Sequence, residues 1–283
     1  MGGRGRGVTL GSSPLRIVGV RYLNSRPLLA GLEEGMAAPF EVQFATAEPA
    51  ACAQALSSGV ADAALVPVAA LPLLPAARVV PGLGVGCRGA VTSVLLLTKV
   101  PPERIRRLAA HTASLTSVAL ARLLLAERWG ARPLVVPARP PLAEMLAEAD
   151  AAVLIGDPAL ATVGASGLLE IDLGRAWQEW TGLPFVFAVW AAASATSPAV
   201  DALLDASLRH AEGDWERLVA HWAALHRLPV PQVRRYLTDI LHFRLDGEDA
   251  RAIQEFLRRA AVAGVMPALA PAASPLVAAP AVG

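Results

Sequence analysis

The chain has 283 residues, 54% of them hydrophobic and 17% charged, which is enough apolar material for a large core and excludes disorder of the whole. Its 25 basic and 24 acidic residues leave a formal charge of +1, so no overall field favours nucleic acid or an anionic membrane surface. The two cysteines, Cys52 and Cys87, cannot make a disulfide framework or a four-cysteine metal site and fit small-residue packing in a reduced compartment.

Residues 1–13 read as a disordered Gly/Arg/Ser leader whose arginines lack the apolar run of a signal peptide. No later run reaches the roughly 20 apolar residues that a membrane span requires. The expected location is the cytoplasm, with no membrane or nucleic-acid partner and with a homodimer left open. From residue 14, short apolar runs alternate with helical patterns: LRIVGV then PLLAGLEEG, EVQFATA then PAACAQALSSG, ADAALVPV then AALPLL. Such alternation predicts βα units and mostly parallel sheets covered on both faces.

A second series follows TSVLLLTK: IRRLAAHTA leads into SLTSVALARLLLAERWG, and PLVVPA into PPLAEMLAEADAAVLIGDPALATVG. Val60–Pro67 (VADAALVP) echoes Ala149–Pro158 (ADAAVLIGDP), each a helix exit, a buried strand and a Pro-marked restart. The echo predicts two α/β lobes facing each other across a cleft. The first lobe is expected to comprise 14–98 and 186–266, the second 99–185. WTGLPFVFAVW reads as a buried strand returning between them, with Thr181 or Phe185 as candidates to border the cleft. From Ser197 the pattern is purely helical and predicts a cap on the first lobe; residues 267–283 form an Ala/Pro-rich tail.

Gly84–Gly89 (GVGCRG) matches the GxGxxG spacing of a dinucleotide site. That motif needs a helix at its last glycine, and the β-like AVTSVLLL follows instead, so a turn between strands is the better reading. His221 and His226 are five apart, which does not place them on one helical face as metal ligands, and no cysteine lies near. No GxSxG nucleophile elbow occurs.

What remains is polar side chains at the C-terminal ends of predicted strands: Tyr22, Asn24 and Ser25; Thr92 and Ser93, which straddle a strand; Ser114, Thr116 and Ser117; and Asp157. Ligands of open α/β sheets bind at this edge, where helix N-termini present unpaired N–H groups. Each short polar residue also reads as an ordinary helix cap. Three hydroxyls in Ser114–Ser117, however, exceed what one helix needs, and the surplus suits a carboxylate. Arg26, beside Pro27, reads equally well toward solvent and toward a ligand.

YLNSRP, GVADAALVPV, GAVTSVLLL, S-x-T-S opening a helix, ADAAVLIGDPAL and W-x-x-x-TGLPFVFAVW, in this order over residues 15–264, resemble the chorismate dehydratase family. The resemblance implies a two-lobed fold of the periplasmic-binding-protein type II class used as an enzyme without metal or organic cofactor. It also implies loss of water from chorismate to give 3-[(1-carboxyvinyl)oxy]benzoate on the futalosine route to menaquinone. It assigns Asn24 to catalysis, as hydrogen-bond partner of the departing hydroxyl or of an enolate-like intermediate. Tyr22, Ser25, Ser93, Ser114, Thr116, Ser117 and Asp157 are assigned to substrate binding. Two positions depart from the family pattern: His111 stands where an acidic residue is common, and Leu115 where a basic one is frequent. The alternatives of the same fold are a non-catalytic small-anion binder or sensor and the sister dihydroxynaphthoate synthase, whose His-bearing motif is not evident.

Overall fold

The computed structural model describes residues 13–111 and 114–268. β1 (Leu15–Val20) runs through a 3-10 turn at Leu23–Ser25 into α1 (Arg26–Glu33), whose second residue is Pro27, where a missing N–H costs nothing. β2 (Val42–Ala47), α2 (Pro49–Ser57) and β3 (Ala63–Pro67) follow. AALPLL, read above as a helix, falls in a 3-10 segment that contains Pro72. β4 (Ala77–Cys87) then sends the chain across to β5 (Val94–Thr98). β6 (Arg107–His111), α3 (Leu115–Arg128), β7 (Leu134–Ala138), α4 (Leu142–Met145), β8 (Ala151–Ile155), α5 (Gly156–Thr162), β9 (Leu169–Asp172) and α6 (Leu173–Thr181) build the second lobe. β10 (Phe185–Ala193) returns to the first, followed by α7 (Ala199–Gly213), α8 (Trp215–His226), α9 (Val230–Arg235), β11 (Leu241–Arg244) and α10 (Gly247–Val262).

The strands form a six-stranded sheet, β11-β4-β10-β3-β1-β2, and a five-stranded sheet, β7-β6-β8-β5-β9. Both are mixed rather than mostly parallel. β1 runs parallel to β2 and β3, and β6 parallel to β7 and β8. β5 and β10 run against their neighbours because each enters its sheet from the opposite lobe. The expected lobe boundary at 98/99 moves forward for the same reason: Val94–Thr98 pairs on both sides within the second sheet.

GVGCRG is strand through Cys87, with a bend at Arg88 and Gly89. Its glycines allow close packing: a Cβ on Gly86 would lie 2.4 Å from the His242 imidazole, and one on Gly84 2.5 Å from the Ala188 carbonyl. The stretch after Ser197 is not wholly helical, since Leu241–Arg244 adds an edge strand beside β4. Leu241 and Phe243 alternate inward there, a period of two that the surrounding helical pattern conceals.

The echo between the two series has a physical basis. Asp62, just before β3, accepts the Arg16 N–H of β1 at 2.8 Å. Asp150, just before β8, accepts the Arg106 and Arg107 N–H groups at the start of β6 at 2.8 and 2.9 Å. Each aspartate locks the start of the parallel strand beside it. The cap packs on the first lobe through α7, where the Ser207 hydroxyl donates to the Leu28 carbonyl and accepts from the Gly31 and Leu32 N–H groups of α1. It also clamps the return crossing: Trp177 of α6, Phe185 of β10 and Phe256 of α10 meet edge to face at centroid distances of 5.4, 6.1 and 5.1 Å.

Candidate active site

A narrow cleft opens between the lobes at the C-terminal ends of β1, β3 and β8. Tyr22, Asn24 and Ser25 form one wall, Ser114–Ser117 with Ile155 and Gly156 the other, and Leu65, Pro67, Phe187 and Ala188 lie between. Phe187, rather than Thr181 or Phe185, is the aromatic at the cleft: Phe185 is buried against Trp177, and the Thr181 hydroxyl donates to the Trp177 carbonyl. The site forms here because β1 ends at Val20 and the chain turns through an extended Tyr22 into the 3-10 turn. Opposite, Ser114 directly precedes α3 as its N-cap residue and makes no side-chain capping bond. The first turn of this 14-residue helix points N–H groups and the positive end of its dipole into the cleft.

Asn24 carries the sharpest signal. Its Oδ1 is buried without a hydrogen-bond partner among the described residues, a condition that stable interiors avoid and functional sites tolerate. Ser114 and Ser117 line the facing wall, both buried. The other hydroxyls of the expected set are already engaged. Ser25 borders the cleft, yet its hydroxyl turns back to the Val20 carbonyl and, at 2.8 Å, to that of Tyr22. Tyr22 donates to Glu48 at 2.6 Å, and burial together with this bond pushes its phenol well above the ordinary range, so it stays protonated. Its ring lies against Gly156, where φ is +62° and a Cβ would come within 3.3 Å of the ring; only glycine meets both conditions without strain.

Thr116 ties the lobes together: its hydroxyl accepts from the Ala69 N–H at 3.2 Å and donates to the Phe187 carbonyl at 3.0 Å. Thr116→Val is expected to leave both backbone groups unpaired and lower stability by about 2 kcal/mol in urea denaturation, with Thr116→Ser retaining most of it. Ser93 and Asp157 do not line the cleft. Ser93 is fully buried and accepts from Tyr236 at 2.6 Å; it precedes β5 rather than straddling a strand with Thr92, whose φ is +60°. Asp157 accepts from the Leu23 N–H at 3.3 Å and pairs with His226 at 2.6 Å. The strand-end position that suggested ligand contact serves instead to join the second lobe to the loop that carries Asn24.

Several side-chain partners around the cleft carry no local sequence signal. The Arg26 Nε donates to His226 Nε2 at 3.2 Å, which leaves Nδ1 as the protonated nitrogen that donates to Asp157. Arg26 thus points neither to solvent nor to the cleft but into an Arg26–His226–Asp157 chain that spans the lobes. Asp172 caps α6 by accepting from the Arg175 N–H at 3.0 Å and also holds the Val91 and Thr92 N–H groups of the first crossing. A short acidic residue directly before LGRAWQEW, with Gly182 at its end, was the available sign of that cap. Among the described residues no three of His, Cys, Asp and Glu converge as metal ligands would, and no described helix is long and apolar enough to cross a membrane.

Residues 15–262, which take in both lobes and nearly all of the cap, match the menaquinone biosynthesis family. The chain belongs to that family. A relative, the chorismate dehydratase of Thermus thermophilus, is 39% identical over 127 residues, 39% of this chain and 46% of that protein. The matched stretch therefore spans under half the length of this relative. Among solved structures, protein AF1704 from Archaeoglobus fulgidus aligns with a TM-score of 0.74 at 16% identity, over 90% of this chain and 99% of that one. The periplasmic aliphatic sulphonate binding protein SsuA from Escherichia coli aligns with a TM-score of 0.60 at 14% identity, over 91% and 90%. In this member of the menaquinone biosynthesis family the two-lobed periplasmic-binding-protein fold expected above is the fold found.

Proposed function

We propose that the protein is a chorismate dehydratase, a carbon–oxygen lyase that removes water from chorismate to give 3-[(1-carboxyvinyl)oxy]benzoate. The observation that carries this reading is the unpartnered Asn24 carboxamide, set in the cleft opposite the Ser114 and Ser117 hydroxyls. The menaquinone biosynthesis family and the relative named chorismate dehydratase support it.

Chorismate is a dianion, and this near-neutral chain supplies a local anion site in the first turn of α3, where dipole, backbone N–H groups and two hydroxyls converge on one carboxylate. In the elimination, the C3–H bond breaks and its electron pair forms a new ring double bond as the C4–O bond breaks. The leaving hydroxide and the C3 proton make up the water, and aromatisation drives the step. A neutral carboxamide is too weak a base to take that proton. Asn24 instead accepts from the C4 hydroxyl in the ground state and donates through its NH2 group as negative charge grows on the leaving oxygen, a transition-state interaction of the oxyanion-hole kind.

Purified protein incubated with chorismate is expected to abolish the diene absorbance and yield an equimolar aromatic product by mass spectrometry. Retained binding with no turnover would assign the cleft to anion capture, as in the sulphonate-binding protein of the same fold.

A further inference from the structure

Beside the cleft a second cavity is bounded by Arg21, Tyr22, Glu48, His111 and Arg139, and it shares Tyr22 and Ile155 with the cleft itself. We propose that this cavity is a second anion subsite, in which Arg139 and His111 hold the substrate carboxylate that the first turn of α3 does not. The proposal rests on the dicarboxylate reading above and extends it to the group that selects a dianion over a monoanion.

Charge bookkeeping identifies the cation. Arg21 is paired with Glu48, whose second oxygen takes the Tyr22 hydroxyl at 2.6 Å, so the negative charge in the cavity is already matched. Arg139, exposed one residue past β7, has no carboxylate partner among the described residues. Its guanidinium is the uncompensated charge of the set, and its planar fork of donors suits a carboxylate.

His111 supplies the second, independent sign of a ligand. It closes β6, is 8% exposed, and its Nδ1 is buried with no hydrogen-bond partner among the described residues. Burial holds the imidazole below its ordinary range; Glu48 opposes that shift, and Arg139 and Arg21 reinforce it. A neutral imidazole donates one hydrogen bond to an anion and carries no charge to be left unpaired when the anion departs. An acidic side chain at position 111 would add a negative charge to the cavity, and histidine removes that repulsion.

The test is binding by calorimetry to the full chain of two stable ligands, 3-(carboxymethoxy)benzoate with two carboxylates and 3-methoxybenzoate with one. Arg139→Gln, at an exposed site, is expected to weaken the dicarboxylate about tenfold and the monocarboxylate by less than about twofold. His111→Phe, accompanied by a thermal melt to show that it folds, is expected to give the same selective loss. Equal losses for both ligands, no loss for either, or a wild-type protein that does not prefer the dicarboxylate would overturn the proposal. The readout is independent of turnover: selective loss in a protein that leaves chorismate unchanged sinks the dehydratase reading and upholds the subsite, whereas turnover without selectivity does the reverse.

Discussion

Asn24→Ala is expected to lower kcat for chorismate by about 10²–10³, the scale set by removing one positioned donor from a charge-stabilising site. KM is expected to change less than kcat, because the bond donated by the carboxamide NH2 strengthens as the C4–O bond breaks. The melting temperature is expected to hold or rise. Among the described residues Asn24 makes no side-chain hydrogen bond, and its Oδ1 is buried and unsatisfied, so truncation removes a desolvation penalty rather than a bond. Loss of activity with gain of stability is the signature of a residue kept for its ligand. Thermal melts and steady-state kinetics on one preparation check both halves; an unchanged kcat would remove Asn24 from the chemistry.

Asp172→Ala is expected to produce the largest loss of stability, about 2–4 kcal/mol by urea denaturation, combining a lost helix cap with two stranded N–H groups. The Asp172 carboxylate takes the Val91 N–H on both oxygens at 3.1 and 3.0 Å, the Thr92 N–H at 2.7 Å and the Arg175 N–H at 3.0 Å. It fixes one of the two segments that join the lobes, and in that segment Thr92 holds a left-handed conformation that β-branched residues disfavour. Asp172→Asn keeps an acceptor and is expected to lose roughly half as much, a difference that separates the hydrogen bonds from the charge.

Much of this architecture is legible in short windows. β1, β3, β8 and β10 announce themselves as buried apolar runs, and the repeated Ala-Asp-Ala-Ala signals strands whose starts are locked by the same device. The surplus hydroxyls at Ser114–Ser117 are likewise visible, because capping needs only one. What escapes is whatever pairing over long sequence distance decides. Nothing near Ser93 shows that Tyr236 will claim its hydroxyl, and nothing near Asp157 points to His226. Thr116 reads as a ligand site and is taken by two backbone groups from elsewhere in the chain. Side-chain type thus locates the rim of the cleft, but the fold decides which hydroxyls remain unspent. Asn24 and Ser114 keep their ligand reading because no distant partner among the described residues reaches them.

The order of the six-stranded sheet also bears on how the chain is made. β10 lies in its interior, between β4 and β3, yet it follows the entire second lobe in sequence. During synthesis β3 and β4 leave the ribosome with open edges, and the strand that fills the gap emerges only after β5 to β9 have been translated. The inserted lobe is continuous and finishes first; the lobe that begins the chain finishes last. Its unpaired apolar edges in the interval are where a nascent chain is most exposed to aggregation and to chaperone capture.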